Sequence, residues 1–299
     1  MKLNRKRAAV VGALVAAVAL GGAVVPAQAA PAPAGTATAK EIPAKKLPAG
    51  AKAKNRTSSD RASATTASGS FSLGAGDVLG SNEYIETENG VLYMQPDGNL
   101  ILDHKAGAEL WASGTYGNPG AYAIVQPDGN FVIYKQDGGP TKGGAVWNTG
   151  TWGNPNARVD FQDDANLVLY RENNSAAWST KTWRVGSNTL TGGQNLERGT
   201  WMWGVDAVVA QDNRGYFGVF FRNEDKAYVA GTYSVGAYTR MQTDGNLVIY
   251  KAGGGEGKGG ANWNTGTWGN PGAYFTFDAT TSAAVLRKAD GTELGHFGP

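Results

Sequence analysis

The stretch QPDGNFVIY at residues 126–134 sets the architecture of the whole chain, because it returns almost unchanged as QDDANLVLY at 162–170 and as QTDGNLVIY at 242–250. In a β-strand, alternate side chains share one face of the sheet. Phe131 and Ile133 therefore point to one side and are candidates for the core. The other side is lined by the Gln, Asp, Asn, Val and Tyr at the first, third, fifth, seventh and ninth positions of the stretch. The stretch predicts a strand with one core face and one face that carries a fixed set of polar groups.

This polar face offers an amide, a carboxylate, a second amide, an aliphatic side chain and a phenol in a row. Adjacent sugar hydroxyls act as donors and acceptors, and the C–H groups of a pyranose ring suit Val or Tyr. An Asp-Gly pair alone would only indicate a hairpin turn. A turn does not explain why Gln, Asn and Tyr recur at the same alternate positions. The motif therefore predicts a site for recognition, with no group placed for proton transfer or metal binding.

A long repeat divides the chain into two parts. The string WNTGTWGNP at 147–155 recurs at 263–271, a displacement of 116 residues that also carries the first motif onto the third intact one. Each part opens on Leu-x-x-Gly-x-x-Leu, beginning at Leu73 and at Leu190. The repeat predicts two tandem domains, which we place at 70–184 and 185–299.

A shorter repeat lies inside each domain. In the first domain the nine-residue motif starts at positions 95, 126 and 162, which are 31 and 36 residues apart. Each unit consists of a few short strands separated by Gly, Asn and Pro turns. This pattern predicts an all-β domain with pseudo-threefold symmetry.

The first 69 residues differ in composition from the rest. Residues 1–29 combine a basic start, an apolar run and Ala27-Gln28-Ala29, which is the pattern of a cleaved signal peptide. We therefore expect a secreted, extracellular protein with no stable membrane insertion after cleavage. Residues 30–69 are rich in Ala, Pro and Lys and contain no aromatic residue, so they are predicted to be a disordered linker.

Charge and residue counts exclude several kinds of protein. The net charge of the whole chain is +2, but the part predicted to fold, residues 70–299, has 16 basic and 23 acidic residues. An acidic folded part argues against nucleic acid as a partner, while the basic linker could tether the protein to a cell wall. The absence of Cys and the presence of only 2 His exclude disulfides, thiolate chemistry and most metal sites. No cofactor, metal or catalytic residue is predicted.

The repeated Gln-x-Asp-x-Asn-x-Val-x-Tyr motif closely resembles the motif of the bulb-type (monocot) mannose-binding lectins, over about residues 70–299. The resemblance implies a β-prism II fold in each domain, with three four-stranded antiparallel sheets around a pseudo-threefold axis. It also implies that tryptophans fill the centre, a role that falls to Trp111, Trp147, Trp178 and Trp263. Dimeric relatives exchange C-terminal strands, and the sequence leaves open whether 294–297 does so between the two domains.

In this family the Asp and Asn bind the axial O2 hydroxyl, Gln binds O3, Tyr binds O4 and Val packs on the sugar ring. Carried over, these roles fall to three quintets: Gln126, Asp128, Asn130, Val132, Tyr134; Gln162, Asp164, Asn166, Val168, Tyr170; and Gln242, Asp244, Asn246, Val248, Tyr250. Gln95, Asp97 and Asn99 are weaker candidates, because Ile101 and Asp103 replace Val and Tyr in that copy.

Two further copies depart from the motif. At 211–219 only the Gln is retained, and at 278–286 the polar set is lost altogether. Many members of the family also carry a disulfide that begins inside the motif. The corresponding positions here are Gly98, Gly129, Ala165 and Gly245. The resemblance therefore implies three competent sites in domains that depend on packing alone.

The repeated motif predicts a mannose-type lectin that is multivalent on polymeric glycans. Three other kinds of protein compete with this prediction. A propeller is disfavoured, since its blades need about 40–50 residues. A glycosidase is disfavoured because no catalytic domain fits outside the two repeats, so we expect no enzyme. A tandem lectin-like bacteriocin that binds rhamnose-containing surface polysaccharide of related bacteria stays open as the alternative function.

Overall fold

A computed structural model describes residues 39–54 and 69–298 of the chain. In this part of the chain every regular element is a β-strand, and the 26 strands form six sheets. No helix in these ranges is long and apolar enough to cross a membrane. The predicted signal peptide, residues 30–38 and 55–68 of the predicted linker, and Pro299 lie outside the described residues.

Of the first fourteen strands, all except the first belong to the sheets of the first domain. In chain order they are β1 (Lys40–Pro43), β2 (Lys52–Ala53), β3 (Phe71–Leu73), β4 (Val78–Leu79), β5 (Glu83–Glu86), β6 (Gly90–Met94), β7 (Leu100–His104), β8 (Glu109–Ala112), β9 (Tyr122–Val125), β10 (Phe131–Gly139), β11 (Gly143–Asn148), β12 (Arg158–Phe161), β13 (Leu167–Tyr170) and β14 (Ala176–Ser179). Their sheets have the orders β2–β5–β6–β7–β8, β11–β10–β9–β4 and β14–β13–β12–β3.

The remaining strands repeat this arrangement. They are β15 (Thr189–Leu190), β16 (Asn195–Leu196), β17 (Trp201–Trp203), β18 (Ala207–Gln211), β19 (Phe217–Phe221), β20 (Lys226–Ala230), β21 (Tyr238–Met241), β22 (Leu247–Gly255), β23 (Gly259–Asn264), β24 (Tyr274–Phe277), β25 (Ala284–Arg287) and β26 (Glu293–Phe297). Their sheets have the orders β1–β20–β19–β18–β17, β16–β21–β22–β23 and β15–β24–β25–β26. The predicted fold class, all-β with two tandem sets of three four-stranded antiparallel sheets, is confirmed for β3–β26, and β1 and β2 each add a fifth strand to one of these sheets.

A triangle of tryptophans lies at the centre of the first three sheets. The rings of Trp111, Trp147 and Trp178 meet edge to face, with centroids 5.5, 6.1 and 5.5 Å apart. Each ring comes from the outer strand of a different sheet, namely β8, β11 and β14. Edge-to-face pairs place the positive edge of one ring on the negative face of the next, which adds to the burial of their large apolar area.

The second domain fills its centre differently. Trp263 is retained, but its neighbour is Phe297, at a centroid distance of 5.9 Å. Phe297 also contacts Phe217 and Phe275 at 5.2 and 5.7 Å. The predicted tryptophan core is therefore complete in the first domain, whereas phenylalanines take most of its place in the second.

Residues 39–54 correct the expectation of a disordered linker. Strand β1 pairs antiparallel with β20, and β2 pairs parallel with β5, so this segment adds a fifth strand to one sheet of each domain. The composition argument considered only what the side chains could bury. An edge strand also gains by pairing backbone N–H and C=O groups that a sheet edge leaves open. Ile42 adds apolar contact by packing on the core.

The sheet β17–β20 has both faces buried. On one face Val209, Phe217 and Val219 pack in the core of the second domain. On the other face Val208 and Phe220 join the core of the first domain. The two domains therefore share an apolar contact rather than being separate units on a tether.

The C-terminal strand stays in its own domain. β26 pairs with β25 through the register Ala284↔Phe297 and Val285↔His296. The question that the sequence left open for 294–297 is thus answered within this chain: the strand is not exchanged between the two domains.

Candidate functional site

The three intact motifs form the same hairpin. In the first, the Gln126 N–H donates to the Asn130 carbonyl at 2.8 Å, which closes a tight turn between β9 and β10. The Gln162–Asn166 and Gln242–Asn246 turns close in the same way, both at 2.9 Å. Each turn places the first, third, fifth, seventh and ninth residues of its motif on the outer face of the sheet, opposite the core.

The aspartate of each motif uses one carboxylate oxygen to hold the turn. Oδ1 of Asp128, of Asp164 and of Asp244 accepts the backbone N–H of the asparagine two residues later, at 3.0 Å in every case. The other oxygen, Oδ2, is left to accept a ligand hydroxyl. Burial raises the pKa of Asp164, whose backbone carbonyl accepts the indole N–H of Trp201 in the second domain at 3.1 Å.

The asparagine is oriented by a pair of threonines. Oδ1 of Asn130 accepts Thr149 Oγ1 at 3.0 Å and the Thr151 backbone N–H at 3.2 Å. A backbone N–H can only donate, so the atom facing it must be the amide oxygen. Nδ2 of Asn130 is consequently left as a donor for a ligand.

The same arrangement recurs in the other two motifs, where the asparagine oxygens are held by these pairs: Thr180 and Thr182 for Asn166, and Thr265 and Thr267 for Asn246. Sequence reasoning assigned these threonines no role. The signal was present, because Thr-x-Thr follows Trp-x in each case, at 147–151, 178–182 and 263–267. The threonines position the asparagine.

The glutamine and tyrosine of each motif bind one another. Nε2 of Gln126, Gln162 and Gln242 donates to the tyrosine Oη eight residues on, at 3.0, 3.1 and 2.7 Å. The amide oxygen is thereby free to accept, and the phenol hydrogen is free to donate. Between Asn and Tyr, the side chains of Val132, Val168 and Val248 are only 2, 3 and 4% exposed, and they form a small apolar floor.

The tyrosines differ in what packs beside them. Tyr134 lies against Tyr122 at a centroid distance of 6.0 Å, and Tyr250 against Tyr238 at 5.7 Å. At the equivalent place in the 162–170 motif, the Arg158 guanidinium lies 5.1 Å from the Tyr170 ring. Burial raises the pKa of Tyr250, with a smaller contribution from the nearby Glu256 carboxylate. The Tyr250 phenol therefore keeps the proton that it would donate.

The structure brings together each predicted quintet, and the three quintets lie on three different sheets. Each presents two acceptors, the Asp Oδ2 and the Gln Oε1, and two donors, the Asn Nδ2 and the Tyr hydroxyl, around an apolar floor. Such a face can bind a small polyhydroxylated ring through neighbouring hydroxyls. Among the described residues, no group of three or more His, Asp or Glu side chains is arranged to hold a metal ion.

The motif at 95–103 keeps only half of the arrangement. Asp97 Oδ1 accepts the Asn99 N–H at 3.0 Å, and the Asn99 oxygen accepts Ser113 Oγ and the Thr115 N–H, both at 3.1 Å. The tyrosine position is occupied by Asp103, whose carboxylate lies 3.6 Å from the Lys45 ammonium of the linker.

Asp103 belongs to a buried charged cluster where the linker meets both domains. Lys45 Nζ also bonds Glu109 at 2.5 Å, and Asn213 Nδ2 of the second domain donates to the same carboxylate at 2.9 Å. Burial raises the pKa of Asp103 to about 7, against the opposing effect of Lys45. Burial likewise raises the pKa of Asp212 to about 6, although Arg214 pairs with it.

This cluster predicts a pH dependence of stability. The pKa of Asp103 is 3.8 without the fold and about 7 within it, so the folded chain holds a proton that the unfolded chain has lost between these values. Stability from this group is therefore present at pH 4 and lost as the pH rises to 7. We expect Asp103→Asn to reduce the fall in the free energy of unfolding between pH 4 and pH 7 by roughly 2 kcal/mol. Urea denaturation of both proteins across this range measures it, and parallel pH curves would contradict it.

The fourth motif has a different register from the one read from the sequence. Asp212, not Gln211, closes the turn, because its N–H donates to the Tyr216 carbonyl at 2.8 Å. Gln211 lies in β18, fully buried, and accepts Thr239 Oγ1 at 2.6 Å. The outer positions belong to Asp212, Arg214, Tyr216, Gly218 and Phe220. This face lacks the motif, and its last residue is buried against the first domain.

The sixth copy also differs from its sequence reading. Its turn is one residue longer, since the Asp278 N–H donates to the Ala283 carbonyl at 2.8 Å. Val285 and Arg287 therefore occupy the Val and Tyr positions, instead of Ala284 and Leu286. The sequence reading is right that the polar set is lost.

The known proteins to which the chain is similar include lectins of solved structure. No family model and no curated protein matches the chain. The chain is similar to solved structures of a monomeric monocot mannose-binding lectin from Gastrodia elata (32% identity, TM-score 0.34, 38% of this chain and 97% of that one) and of the mannose-specific snowdrop agglutinin from Galanthus nivalis (30% identity, TM-score 0.30, 37% and 95%). It is also similar to a two-domain fetuin-binding lectin from Scilla campanulata, at 19% identity with TM-score 0.29, over 76% of this chain and 98% of that one.

Proposed function

We propose that this chain is a secreted, non-enzymatic lectin of the bulb type that binds mannose-type sugars through the motifs at 126–134, 162–170 and 242–250. The observation that carries the proposal is the threefold recurrence of one hydrogen-bond arrangement. In each motif, Oδ1 of Asp accepts a backbone N–H, and Oδ1 of Asn accepts hydrogen bonds from the two threonines. The Tyr hydroxyl oxygen accepts the amide N–H of Gln. The same groups are left to bind a ligand in all three motifs, namely Asp Oδ2, Asn Nδ2, Gln Oε1 and the hydroxyl hydrogen of Tyr.

Each free group has a distinct task in this proposal. The Asp Oδ2 accepts a hydrogen bond from one sugar hydroxyl, and the Asn Nδ2 donates to the same oxygen. This pairing suits an axial hydroxyl that is both donor and acceptor, as O2 of mannose is. The Gln Oε1 and the Tyr hydroxyl would address O3 and O4, and the Val floor would contact the ring C–H groups.

The groups are held before the ligand arrives, so little side-chain freedom is lost on binding. A single shallow site nevertheless gives weak affinity, about millimolar or ~4 kcal/mol. Two sites on the first domain and one on the second, on domains that share an apolar contact, can engage several sugars of one polymer. Multivalency of this kind raises the apparent affinity without any new contact.

We include export of the protein in the proposal, together with a tether formed by the basic linker on an anionic cell wall. Lys45 and Lys46 of the linker form ion pairs within the fold, with Glu109 and Asp225. A basic tether to an anionic wall would therefore depend on the other linker cations, which include Arg56 and Arg61. Wall binding that does not weaken with salt would contradict this part of the proposal.

The function is tested with the mature chain on a yeast mannan column and on a glycan array. We expect retention on mannan, elution by methyl α-mannoside, and array signals concentrated on mannose-type or closely related 6-deoxy sugars. Passage of the well-folded protein through the column, together with an array without any glycan signal, would overturn the proposal.

A further inference from the structure

An exposed aromatic side chain follows the second threonine of each motif. Trp152 follows Thr151, Trp183 follows Thr182 and Trp268 follows Thr267, and they are 65, 41 and 39% exposed. The Trp183 carbonyl accepts the backbone N–H of Trp201 at 3.4 Å, so the loop of Trp183 is held by the second domain and is set apart from those of the other two. Single exposed aromatics are common on protein surfaces and need no explanation. Here, however, an indole recurs one residue after the threonine whose N–H holds the site asparagine.

The loop that carries Trp268 is fastened to the candidate site on both sides of the indole. Before it, the Thr267 hydroxyl donates to the Gly245 carbonyl at 2.7 Å. After it, the Asn270 N–H donates to the carbonyl of Asp244 at 3.0 Å. Asn270 Nδ2 then closes the loop on the Thr267 carbonyl at 2.8 Å. The backbone of Trp268 is thus held beside the carboxylate that is left free for a ligand.

The indole itself rests on glycine. A Cβ placed on Gly266 would lie 3.4 Å from Cζ3 of Trp268, and one on Gly150 would lie 3.7 Å from Cζ3 of Trp152. Gly266 and Gly150 both have φ of +69°, so the two loops share one conformation. The side chain is therefore supported by the backbone of its own loop, while a large part of its surface faces solvent.

We propose that Trp268 and Trp152 form second sugar subsites, which bind the next pyranose of a glycan chain whose first residue occupies the adjoining motif. The C–H groups of a pyranose carry partial positive charge and form an apolar face, which matches the electron-rich face of an indole. Hydroxyl groups at the ring edge remain in water. The inference rests on the proposed function and extends it from single sugars to oligosaccharides.

Trp268 provides the cleaner test, because only one intact motif adjoins it. The Trp152 loop also contacts the 162–170 hairpin, through Arg171 Nε donating to Asn154 Oδ1 at 2.9 Å. The loop of Trp268 ends at Gly272, where an added Cβ would lie 3.2 Å from the Ala289 Cβ, so its neighbour on that side is the last copy of the repeat, which lacks the polar set. An effect of Trp268 is therefore attributable to the motif at 242–250.

A matched control is available in the same domain. Tyr233 follows Thr232 in the loop after the 212–220 copy; this loop is one residue shorter than the loop of Trp268, and Tyr233 is 71% exposed. That motif has no Asp–Asn pair, so its loop aromatic has no first sugar beside it. Tyr233→Ala removes a similarly exposed aromatic ring without touching a candidate site.

The experiment uses the full mature chain carrying Asp128→Asn and Asp164→Asn, so that binding reports the 242–250 motif. Isothermal titration with methyl α-mannoside and with a linear α-linked mannotriose gives two dissociation constants for this parent and for its Trp268→Ala and Tyr233→Ala derivatives. We expect Trp268→Ala to weaken mannotriose binding by about 3- to 10-fold and to leave the monosaccharide within about 2-fold, whereas Tyr233→Ala changes neither.

The outcomes separate the two proposals. If Trp268→Ala weakens both sugars equally or neither, the subsite is refuted while the lectin function stands. If the wild-type chain and this parent bind neither sugar, the proposed function fails and the subsite fails with it. Equal losses for Tyr233→Ala and Trp268→Ala would mean that the effect is not specific to the site, and would also refute the subsite.

Discussion

The triple variant Asp128→Asn, Asp164→Asn, Asp244→Asn is expected to lose mannan binding almost completely, with an apparent affinity at least about 100-fold below that of the parent. In each motif the asparagine would still accept the backbone N–H now held by the aspartate Oδ1 at 3.0 Å. Its second atom would be an NH2 donor instead of a carboxylate acceptor. A sugar hydroxyl that donates to Oδ2 would lose a hydrogen bond to a charged group, which contributes about 1.5–3 kcal/mol.

The measurement is retention on immobilised mannan together with surface plasmon resonance at several ligand densities. Asp290→Asn is the matched control, because Asp290 Oδ1 likewise accepts a backbone N–H two residues on, from Thr292 at 2.9 Å, but outside any motif. It should bind as the parent does. Equal urea denaturation midpoints for all three proteins would show that the fold survives. Mannan binding by the triple variant at parental strength would refute the assignment of these aspartates.

Trp111→Ala is expected to lower the free energy of unfolding by about 3–5 kcal/mol. The Trp111 side chain is 7% exposed, and its ring is in edge-to-face contact with both other members of the tryptophan triangle. Its removal would leave a cavity on the axis where three sheets meet, and no single sheet could close that cavity by moving alone. Urea denaturation followed by tryptophan fluorescence and circular dichroism provides the measurement.

Trp152→Ala is the control for this change, since it removes the same atoms from an exposed position and should shift stability by no more than about 0.5 kcal/mol. Should Trp111→Ala fail to fold, Trp111→Phe keeps an aromatic ring and should cost about 1–2 kcal/mol. A denaturation midpoint of Trp111→Phe equal to that of the parent would show that the triangle does not hold the sheets together.

Repetition made the core of the fold predictable. Three copies of a nine-residue strand pattern in one half, displaced onto the other half, are sufficient to predict six sheets and the residues that face inwards. The same repetition predicts which polar side chains share a face, and the structure brings those side chains together. It could not reveal the hydrogen bonds that orient them, because those come from threonines in the segments that follow the outer strands β11, β14 and β23.

The linker was missed for a different physical reason. A segment without aromatic residues cannot build a core, and the composition argument stops there. Strand β1 is stabilised by something that composition does not record, namely an open edge on β20 in the distant second domain. No local property of residues 40–43 identifies that partner.

The two register errors concern the turns of the copies at 211–219 and 278–286. Matching letters placed Gln211 on Gln126, but the feature that the turn conserves is a backbone conformation with positive φ just before the fifth position. Gly129 has φ of +88° there, and Gly215 has φ of +102°. Alignment on these glycines would have given the register that the structure shows for the fourth motif. In the sixth copy the turn is one residue longer, and nothing in the letters marks the insertion.

The path of the linker also sets the order in which the protein can be completed. Lys40–Pro43 precedes the whole first domain in the chain, yet its partner is Lys226–Ala230. A chain that emerges N-terminus first must therefore hold this strand unpaired until the whole first domain and the second domain as far as β20, the sixth of its twelve strands, have been made. Such non-local pairing is intrinsically slow. Duplicated repeats are often separable modules, but a cut at the boundary between the repeats would deprive the second half of strand β1 and leave β1 in the first half without its partner β20.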